Sequence, residues 1–560
     1  MPSFDVMNID KTKKQKVKAA LLVDSNYTKQ WMASALQFAM DRNLEIALIL
    51  YCTNSSPKRK PLAHAFYYLL NIFVMNGPEE QMVSISQIGL SGKPTHRFRS
   101  IYDGNWQKFP ESISAEIAKE NCEVVIKLGM GLLRNPDDCG AKYGVLSFHL
   151  GDPSEYRGRP SGFYEILHKR DTMGMMVQRL NNTLDAGQVL AFGRSRVFPF
   201  SYRKTLALAR KSSIFLLHKA ISSLQESDSV KIPTSGFNYR LPSNLLVLKF
   251  IFRIFLSKVK RLYYGLFWEK AWCIVKKPLS KDIILKGGDL DASGEIRCPN
   301  HLFYADGFFL PDGSIVAEAM RQDYAKGEIV RISENGAPFS LSDASLCHWS
   351  YPCTFNLNQS DYLLPEVAEW SAPFVLKIDL NGMFREKTFL KGLEDTRLVD
   401  PTFLHYNGIH YIFASKPGVE ADQLFLWYSE SSLEGPYKEH PMSPIVINPA
   451  CARMGGHLVF LNQKLYRLGQ NNVSDYGNGL RICEVIKLDI NSYQERIITS
   501  IGMKNSKGPH TLNFSETSQV YDFYKNQFSF FAWYRRLKSK FILKINRVPK
   551  IESVSVTKNF

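Results

Sequence analysis

Two different hydrophobic periodicities run through this chain, and each admits only a narrow set of folds. Between Val17 and Leu224 apolar runs of strand length alternate with stretches of helical spacing. That is the pattern of a sheet covered by helices. From Asp289 onward short apolar strands recur between Asn, Asp, Gly and Pro turns, which is the pattern of an all-β architecture. A chain of 560 residues is too long for one hydrophobic core, so the two textures are read as separate domains. With 45% hydrophobic and 22% charged residues the composition is that of a folded protein, not a disordered one.

In the first half, Val17–Val23 and Glu45–Tyr51 read as strands around a helix from Lys29 to Arg42. Further helices are expected over Lys58–Met75, Glu111–Asn121 and Tyr202–Leu224. Further strands are expected over Val124–Leu128, Val145–His149, Met173–Arg179 and Val189–Val197. The expected fold class is an α/β open sheet. Ligands of such sheets lie outside the carboxyl ends of the strands, which singles out Gly129 and His149. No GxGxxG opens the first turn, so a dinucleotide is not indicated.

His149 ends an apolar strand, and a Gly/Pro-rich loop follows through Tyr156-Arg157-Gly158-Arg159-Pro160. Asp185 arrives on a later loop, Leu184-Asp185-Ala186-Gly187. An imidazole with an acid able to orient it is the minimum equipment for general acid–base chemistry. Taken alone, His149 reads as a strand-end histidine satisfied by backbone groups; its joint spacing with Tyr156-Arg157-Gly158 and Asp185 turns the reading toward function. Asp152 reads as an Asx-turn residue before Pro153, and Met173, Met175 and Met176 as strand core.

These motifs resemble the core of the 10-formyltetrahydrofolate-dependent formyltransferases, whose pattern is Asn-x-His at a strand end, then Tyr-Arg-Gly, then Leu-Asp-x-Gly. The likeness is good over residues 120–195 and looser over 16–230. It implies a formyltransferase-like fold, with 10-formyltetrahydrofolate as cosubstrate. It also implies that His149 and Asp185 surround the transferred carbon, and that Leu128, Gly129, Met130 and Leu184 line the pteridine slot. Ser147 stands where the family has Asn, leaving a hydroxyl as the residual oxyanion donor. Loss of one such donor typically costs about 10²–10³ in rate. Arg157 and Arg159 either hold an anionic group of the substrate or pack the loop.

The net charge of +17 invites a nucleic-acid reading, yet ten basic residues against Glu269 between Arg240 and Lys281 hold +9 of it. The basicity is local, and no nucleic-acid partner is expected. Within that segment residues 245–262 have an amphipathic pattern. Lys249, Arg253, Ser257 and Lys260 share one face, and Leu245, Leu248, Phe252, Phe255, Leu256 and Val259 cover the others. Such a helix either lies on an anionic membrane surface or packs between domains, the commoner outcome.

Nine cysteines without a CxxC pair point to reduced thiols. Cys347-His348 and Cys353 have no second pair, so no metal site is expected. Met1 to Lys18 show no apolar signal core, and no window approaches the ~20 apolar residues that span a bilayer. A cytoplasmic location is expected, with peripheral contact at the inner face of a membrane as the alternative.

Past Asp289 a unit of apolar strand, tight turn and aromatic strand recurs. Its copies are Asn300–Leu310 turning at Asp306-Gly307, Asp400–Phe413 at Asn407-Gly408, Gly456–Leu468 at Asn462-Gln463, and Phe523–Phe531 at Asn526. Hairpins at that interval suggest a β-propeller, and roughly 265 residues at ~50 per blade give five blades. The size and texture resemble the five-bladed propellers of glycoside hydrolases. Gly392-Leu393-Glu394-Asp395-Thr396-Arg397 looks like their Glu-Asp-Pro-Arg motif, with Thr396 in place of Pro. Arg453–His457, Tyr466–Gln470 and Gly508–Asn513 resemble the propeller domain of plant glucosamine inositolphosphorylceramide transferases, over about residues 285–535. In such a propeller the carboxylate candidates are Asp306, Glu394, Asp395 and Asp475. Glu394 and Asp395 with Arg397 either bind sugar hydroxyls or only anchor a blade, and His457 and His510 point to sugar recognition over hydrolysis.

The expected organisation is a formyltransferase-like domain over 1–235, a basic linker over 236–282 and a five-bladed propeller over 283–545. The expected function is formyl transfer from 10-formyltetrahydrofolate to the amino group of a nucleotide- or lipid-linked amino sugar, with the propeller recognising glycan. The alternative is an inactive first domain attached to a glycosyltransferase- or glycosidase-type propeller.

Overall fold

The structure, a computed structural model, describes residues 16–54, 62–224, 232–298, 301–323, 325–333, 339–342, 347–367, 372–379 and 382–545. The chain divides into two compact units. One comprises residues 1–193 with 197–253, the other residues 254–560 with 194–196.

The first unit is built on a seven-stranded sheet. Its strand order is Gln188–Arg196, Thr172–Arg179, Val145–His149, Val124–Lys127, Val17–Val23, Leu44–Cys52 and Thr95–Phe98. The central pairings are parallel, and Thr172–Arg179 runs antiparallel to Val145–His149. Parallel strands must be covered on both faces, which explains why Val17–Val23 is apolar almost without interruption. Ala20 and Leu22 pack with Val125, Val145, Ile113 and Ile117 on one face. Phe148 faces the other way, edge-on to Trp31 of the Gln30–Met40 helix at 5.1 Å.

The expected elements are present with shifted ends. The helix expected from Lys58 runs over Ala65–Val74, residues 58–61 lying outside the described residues. The helix expected over Tyr202–Leu224 is two helices, Tyr202–Ser213 and Leu216–Ser223. The amphipathic segment 245–262 lies within a helix from Asn244 to Phe267.

Among the described residues the second unit holds five sheets, antiparallel except where Gly288–Leu290 runs parallel to Tyr493–Met503. Four begin, respectively, with Tyr304–Phe309, Trp349–Leu357, Val399–Tyr406 and Arg453–Met454, and each pairs onward mostly through hairpins. The fifth joins Leu512–Phe514 and Ser518–Phe528 to Trp268–Pro278, a strand from the segment read as linker. Side chains tie the first strands to one another. Thr354 Oγ1 donates to the Phe309 carbonyl (2.8 Å), and Gly456 N–H donates to the Tyr351 hydroxyl (2.9 Å). Asn513 Nδ2 donates to the Gly307 carbonyl (2.8 Å), linking the fifth sheet to the first.

Two of the four expected hairpins have the turns assigned to them. Tyr406 pairs with Ile409 across Asn407-Gly408, and Leu461 with Lys464 across Asn462-Gln463. The other two are corrected. Asp306-Gly307 is an irregularity inside one strand, and the chain reverses after Phe309 at Pro311–Ser314. Around Asn526 the chain does not turn at all, because Ser518–Phe528 is one strand paired along its length with Trp268–Pro278. The apolar–polar–apolar pattern of a turn was mimicked there by a strand end leaving the core.

Candidate active site

Val23, Lys127 and His149 end three adjacent parallel strands, so the loops that follow them meet at one edge of the sheet. There His149 and Asp185 come together. His149 Nδ1 lies 3.3 Å from Asp185 Oδ1, and His149 Nε2–H donates to the Tyr156 carbonyl at 3.3 Å. A carbonyl can only accept, so the neutral ring would turn a bare Nδ1 toward a carboxylate; protonating Nδ1 removes that conflict. Burial works against the imidazolium, but the hydrogen bond and charge of Asp185 outweigh it. The pKa of His149 is held above its ordinary value. Burial pushes the Asp185 carboxyl upward, but the His149 hydrogen bond and charge, Gly158 N–H and the Gln178 amide together bring it below its ordinary value.

Asp185 sits at φ +47°, a left-handed conformation that needs local compensation. Its carboxylate provides it, accepting Gly158 N–H (2.9 Å) and Gln178 Nε2 (3.4 Å), while Gln178 Oε1 accepts Gly187 N–H (3.0 Å). The Tyr156–Gly158 strand thus clamps the aspartate loop to the histidine loop. It is itself fixed by parallel pairing with Phe237–Tyr239.

Ser147 is two residues before His149 on the same strand and therefore on the same face. Its register partners are Lys127 on one side and Gln178 on the other. A row of ammonium, hydroxyl and amide crosses the sheet beside the His–Asp pair. Burial lowers the Lys127 pKa against the pull of Asp24 and Asp185. Glu165, also buried, is pushed up to about 7 by desolvation, which His149 partly offsets. Glu165 and His149 line a cavity of about 10 Å³, together with Tyr156, Arg157, Gly158 and Tyr239. That space holds about one water.

The residues assigned to the pteridine slot lie at the same sheet edge. Leu128 N–H (2.9 Å) and Gly129 N–H (3.0 Å) donate to the Leu22 carbonyl, and Met130 N–H donates to Asp24 Oδ1. Their donors are therefore spent within the protein, leaving carbonyl oxygens and apolar surface for a ligand. Leu184 is half-buried beside Asp185. Arg157 Nε donates to the Gly236 carbonyl (2.6 Å), so its guanidinium is partly committed to loop packing, whereas Arg159 is exposed. Asp152 Oδ1 accepts Ser154 N–H (3.0 Å) and its hydroxyl (2.6 Å), the expected Asx turn. Met173, Met175 and Met176 are buried in the Thr172–Arg179 strand, as core.

The second unit holds a buried polar cluster of its own. Asp306, Tyr351 and Asp400 occupy register breaks in the first strands of three sheets, at φ +52°, +44° and +50°. Bulges of this kind re-aim a side chain, and strain in non-Gly residues gathers at functional sites. Arg453 holds Asp400 through Nη2 (2.9 Å) and Nε, and Gln470 Nε2 donates to the same carboxylate (2.9 Å). His510 Nδ1 lies between Asp522 Oδ2 (2.9 Å) and Asp306 Oδ1 (3.2 Å), while its Nε2 meets the Tyr476 hydroxyl (2.8 Å). Burial drives Asp306 well above the carboxylate range, and Glu318 and Glu366 up to about 8. The Asp306–His510–Asp522 oxygens and nitrogen lie close enough to share a cation. His510 Nδ1 hydrogen-bonds Asp522 Oδ2, whereas Asp306 Oδ1 is buried with no hydrogen-bond partner.

The sugar-contact residues expected from sequence are dispersed. Glu394, Asp395 and Arg397 are exposed on the loop before Val399, with Glu394 Oε1 accepting Gly392 N–H (2.8 Å). His457 is half-buried, its Nε2 donating to the Thr354 carbonyl (2.6 Å), and burial pushes its pKa down to about 4. It lines a cavity of ≈ 570 Å³ with Phe309, Asn356 and Tyr362. Asp475 accepts from Lys270 Nζ (2.8 Å) and the Tyr524 hydroxyl (2.7 Å).

A family model described as glucosamine inositolphosphorylceramide transferase 1, N-terminal, matches residues 331–525. Glucosamine inositolphosphorylceramide transferase 1 of Oryza sativa subsp. japonica is 30% identical over 219 residues, 37% of this chain and 29% of that protein. Its namesake in Arabidopsis thaliana is 28% identical over 203 residues, 35% of this chain and 26% of that protein. The chain spans less than a third of the length of either relative. The first unit is similar to solved formyltransferase structures. Phosphoribosylglycinamide formyltransferase from Anaplasma phagocytophilum aligns at 12% identity and TM-score 0.27, covering 38% of this chain and 89% of that one. A sugar 3N-formyl transferase solved in the presence of dTDP and 5-N-formyl-THF aligns at 10% identity and TM-score 0.29, covering 58% and 100%. Similarity that faint assigns no reaction, so the chemistry of the first unit is read from its side chains.

Sequence reasoning missed Lys127, Gln178 and Glu165 in the first unit. Lys127 was signalled by a charge inside Val124-Val125-Ile126-Lys127-Leu128, and Gln178 by an amide ending the run from Met173. Glu165 carried no signal. In the second unit Asp400 and Asp522 were missed, and Arg453 and Gln470 were noted only as members of the Arg453–His457 and Tyr466–Gln470 motifs, not as partners of Asp400.

Proposed function

We propose that the first unit transfers a formyl group from 10-formyltetrahydrofolate to the amine of an amino sugar, nucleotide- or lipid-linked. The observation that carries this reading is the pairing of buried His149 with half-buried Asp185 at 3.3 Å. The amine nitrogen would attack the formyl carbon on N10, forming the new C–N bond while the carbonyl π pair moves onto oxygen. Collapse then breaks the bond to N10, which takes a proton as the amine gives one up. His149 suits the carrying of that proton, with Asp185 stabilising its charged form. Ser147, Gln178 and Lys127 are the donors on the face where the oxyanion would develop. The carbonyls of Leu128, Gly129 and Met130 match the N–H donors of a pteridine. Glucosamine, part of the relatives' name, is an amine-bearing sugar of the class proposed.

In the same reading the five sheets are the blades of a propeller that recognises glycan, with the Asp306–Asp400–Arg453–His510 cluster as its polar centre. Incubation with 10-formyltetrahydrofolate and UDP- or dTDP-linked amino sugars should yield N-formyl sugar and tetrahydrofolate, and His149→Ala should abolish both. No heat of folate binding in calorimetry would end the proposal.

One observation favours a second reading. Ser147 removes the amide donor of the formyltransferase pattern, while the second unit retains a strained, buried acid cluster. The first unit would then be inactive and the second a glycosyltransferase- or glycosidase-type propeller, closer to the relatives' names. Glycan turnover that survives His149→Ala and is lost in Asp400→Asn would select it.

A further inference from the structure

The second unit carries a cationic, apolar surface formed by two helices that the sequence keeps far apart. Trp268 pairs with Phe528 at the end of a long antiparallel ladder. The Asn244–Phe267 helix therefore enters, and the Ala532–Ile545 helix leaves, at the same end of that ladder. Ser529 N–H donates to the Phe267 carbonyl (2.7 Å), and the Tyr264 hydroxyl donates to Asn526 Oδ1 (2.6 Å). Arg536 reaches the carbonyls of Gly265 and Trp268, locking the second helix to the end of the first.

The two helices, with Phe530 and Phe531 just before the second, expose an unusual set of apolar side chains. Phe255, Leu262, Phe530 and Phe541 are 58%, 63%, 69% and 65% exposed, and Leu256, Trp533, Tyr534 and Leu537 are exposed around them. Apolar exposure on this scale marks a binding surface. Each helix carries five Lys or Arg and no acid. Some are committed within the protein: Arg253 donates to the Leu167 carbonyl (2.8 Å), and Arg535 pairs with Glu269. Lys258 and Lys260 on the first helix, and Lys538, Lys540 and Lys544 on the second, stand exposed beside the apolar residues. No described helix is long and apolar enough to cross a membrane.

We propose that this paired-helix surface binds the face of an anionic phospholipid bilayer, the aromatic and aliphatic side chains entering the acyl boundary and the lysines meeting phosphate or carboxylate headgroups. Charge selects that occupant over a second copy of the chain. A symmetric partner would bring two such cationic helix pairs face to face, whereas an anionic surface neutralises one.

The test is flotation of the full chain with phosphatidylcholine vesicles, with and without phosphatidylserine. Binding should require phosphatidylserine and fade as salt is raised. The triple reversal Lys258→Glu, Lys538→Glu and Lys540→Glu should lower the bound fraction at least about tenfold. Phe530→Ser with Phe531→Ser should abolish binding while the unfolding temperature holds. Equal binding to neutral vesicles, or binding indifferent to the charge reversals, overturns the proposal. So does a dimer by light scattering that dissolves in the Phe530/Phe531 variant and never binds vesicles.

Discussion

At the scale of single residues, His149 is poised between burial, which lowers its pKa, and the Asp185 carboxylate, which raises it. Removing the carboxylate leaves burial, the largest influence, opposed only by the Tyr156 carbonyl and Glu165, so Asp185→Asn should lower the His149 pKa, and ring-proton NMR titration would read this directly. The linkage has a definite sign. A histidine whose folded pKa is raised stabilises the fold below its unfolded pKa, near 6.5, and that stability is lost as pH rises through the folded value. Asp185, whose folded pKa is depressed, contributes above its unfolded value and loses that contribution as pH falls. In Asp185→Asn both windows should vanish, and formyl transfer should fall about 10²–10⁴-fold, the usual weight of a proton-transfer pair.

Ser147 raises a sharper question, because its strand neighbour Gln178 brings an amide to the same face. One Gln178 N–H is engaged by Asp185, and the amide nitrogen carries a second. If Gln178 supplies the donor that Ser147 lacks, Gln178→Met should cost about 10²–10³ in kcat with little change in KM. Ser147→Asn placed in that background should restore part of the loss. A Gln178→Met enzyme with unaltered kcat would show that the amide only anchors the aspartate loop.

At the scale of elements, the site depends on a short clamp. Gly158 lies at φ +81°, and a Cβ there would meet the Tyr239 carbonyl oxygen at 2.1 Å. Its N–H also holds Asp185. Gly158→Ala must therefore separate the Tyr156–Gly158 and Phe237–Tyr239 strands or rotate the peptide that holds the aspartate. A loss of about 2 kcal/mol or more is expected, the range for a strained backbone combined with a lost hydrogen bond. Thermal unfolding should show it, with a parallel loss of folate binding.

This scale also shows what the sequence could and could not reveal. Val17–Val23 and Val145–His149 announced themselves because a parallel sheet buries both faces and writes an unbroken apolar run. The pairing of His149 with Asp185 was legible because each sits next to its own turn motif. Trp268–Pro278 was not legible as a strand of the last sheet, since its partner lies some 250 positions away and a helix of opposite periodicity precedes it. The pairing of Asp400 with Arg453 escaped for a similar reason. A buried ion pair between separate sheets has no local spacing, whereas the exposed Glu394-Asp395-Thr396-Arg397 loop has one and drew attention instead.

At the scale of the molecule, the two units should answer pH differently. The second unit buries carboxyl groups that are kept neutral by desolvation and mutual repulsion. Glu318 and Glu366 rise to about 8, so the folded unit holds protons that the unfolded chain releases near pH 4.5. Where the folded state binds more protons, stability falls as pH rises. The second unit should therefore weaken progressively from about pH 4.5 to about pH 8, in the sense opposite to a salt-bridged acid. Glutamine keeps the shape and acceptor oxygen of a neutral glutamic acid, including the acceptor that Asp400 N–H uses on Glu366. Glu318→Gln with Glu366→Gln should thus leave the unit nearly unchanged at pH 5 and raise its unfolding temperature by several degrees at pH 8. Hydrogen exchange resolves the units: protection in Tyr304–Met320 should rise in the double variant at pH 8, and protection in Val17–Val23 should not move. An equal gain at pH 5 would mean that the two carboxyls are unfavourable even when protonated, and that their burial, not their titration, limits the unit.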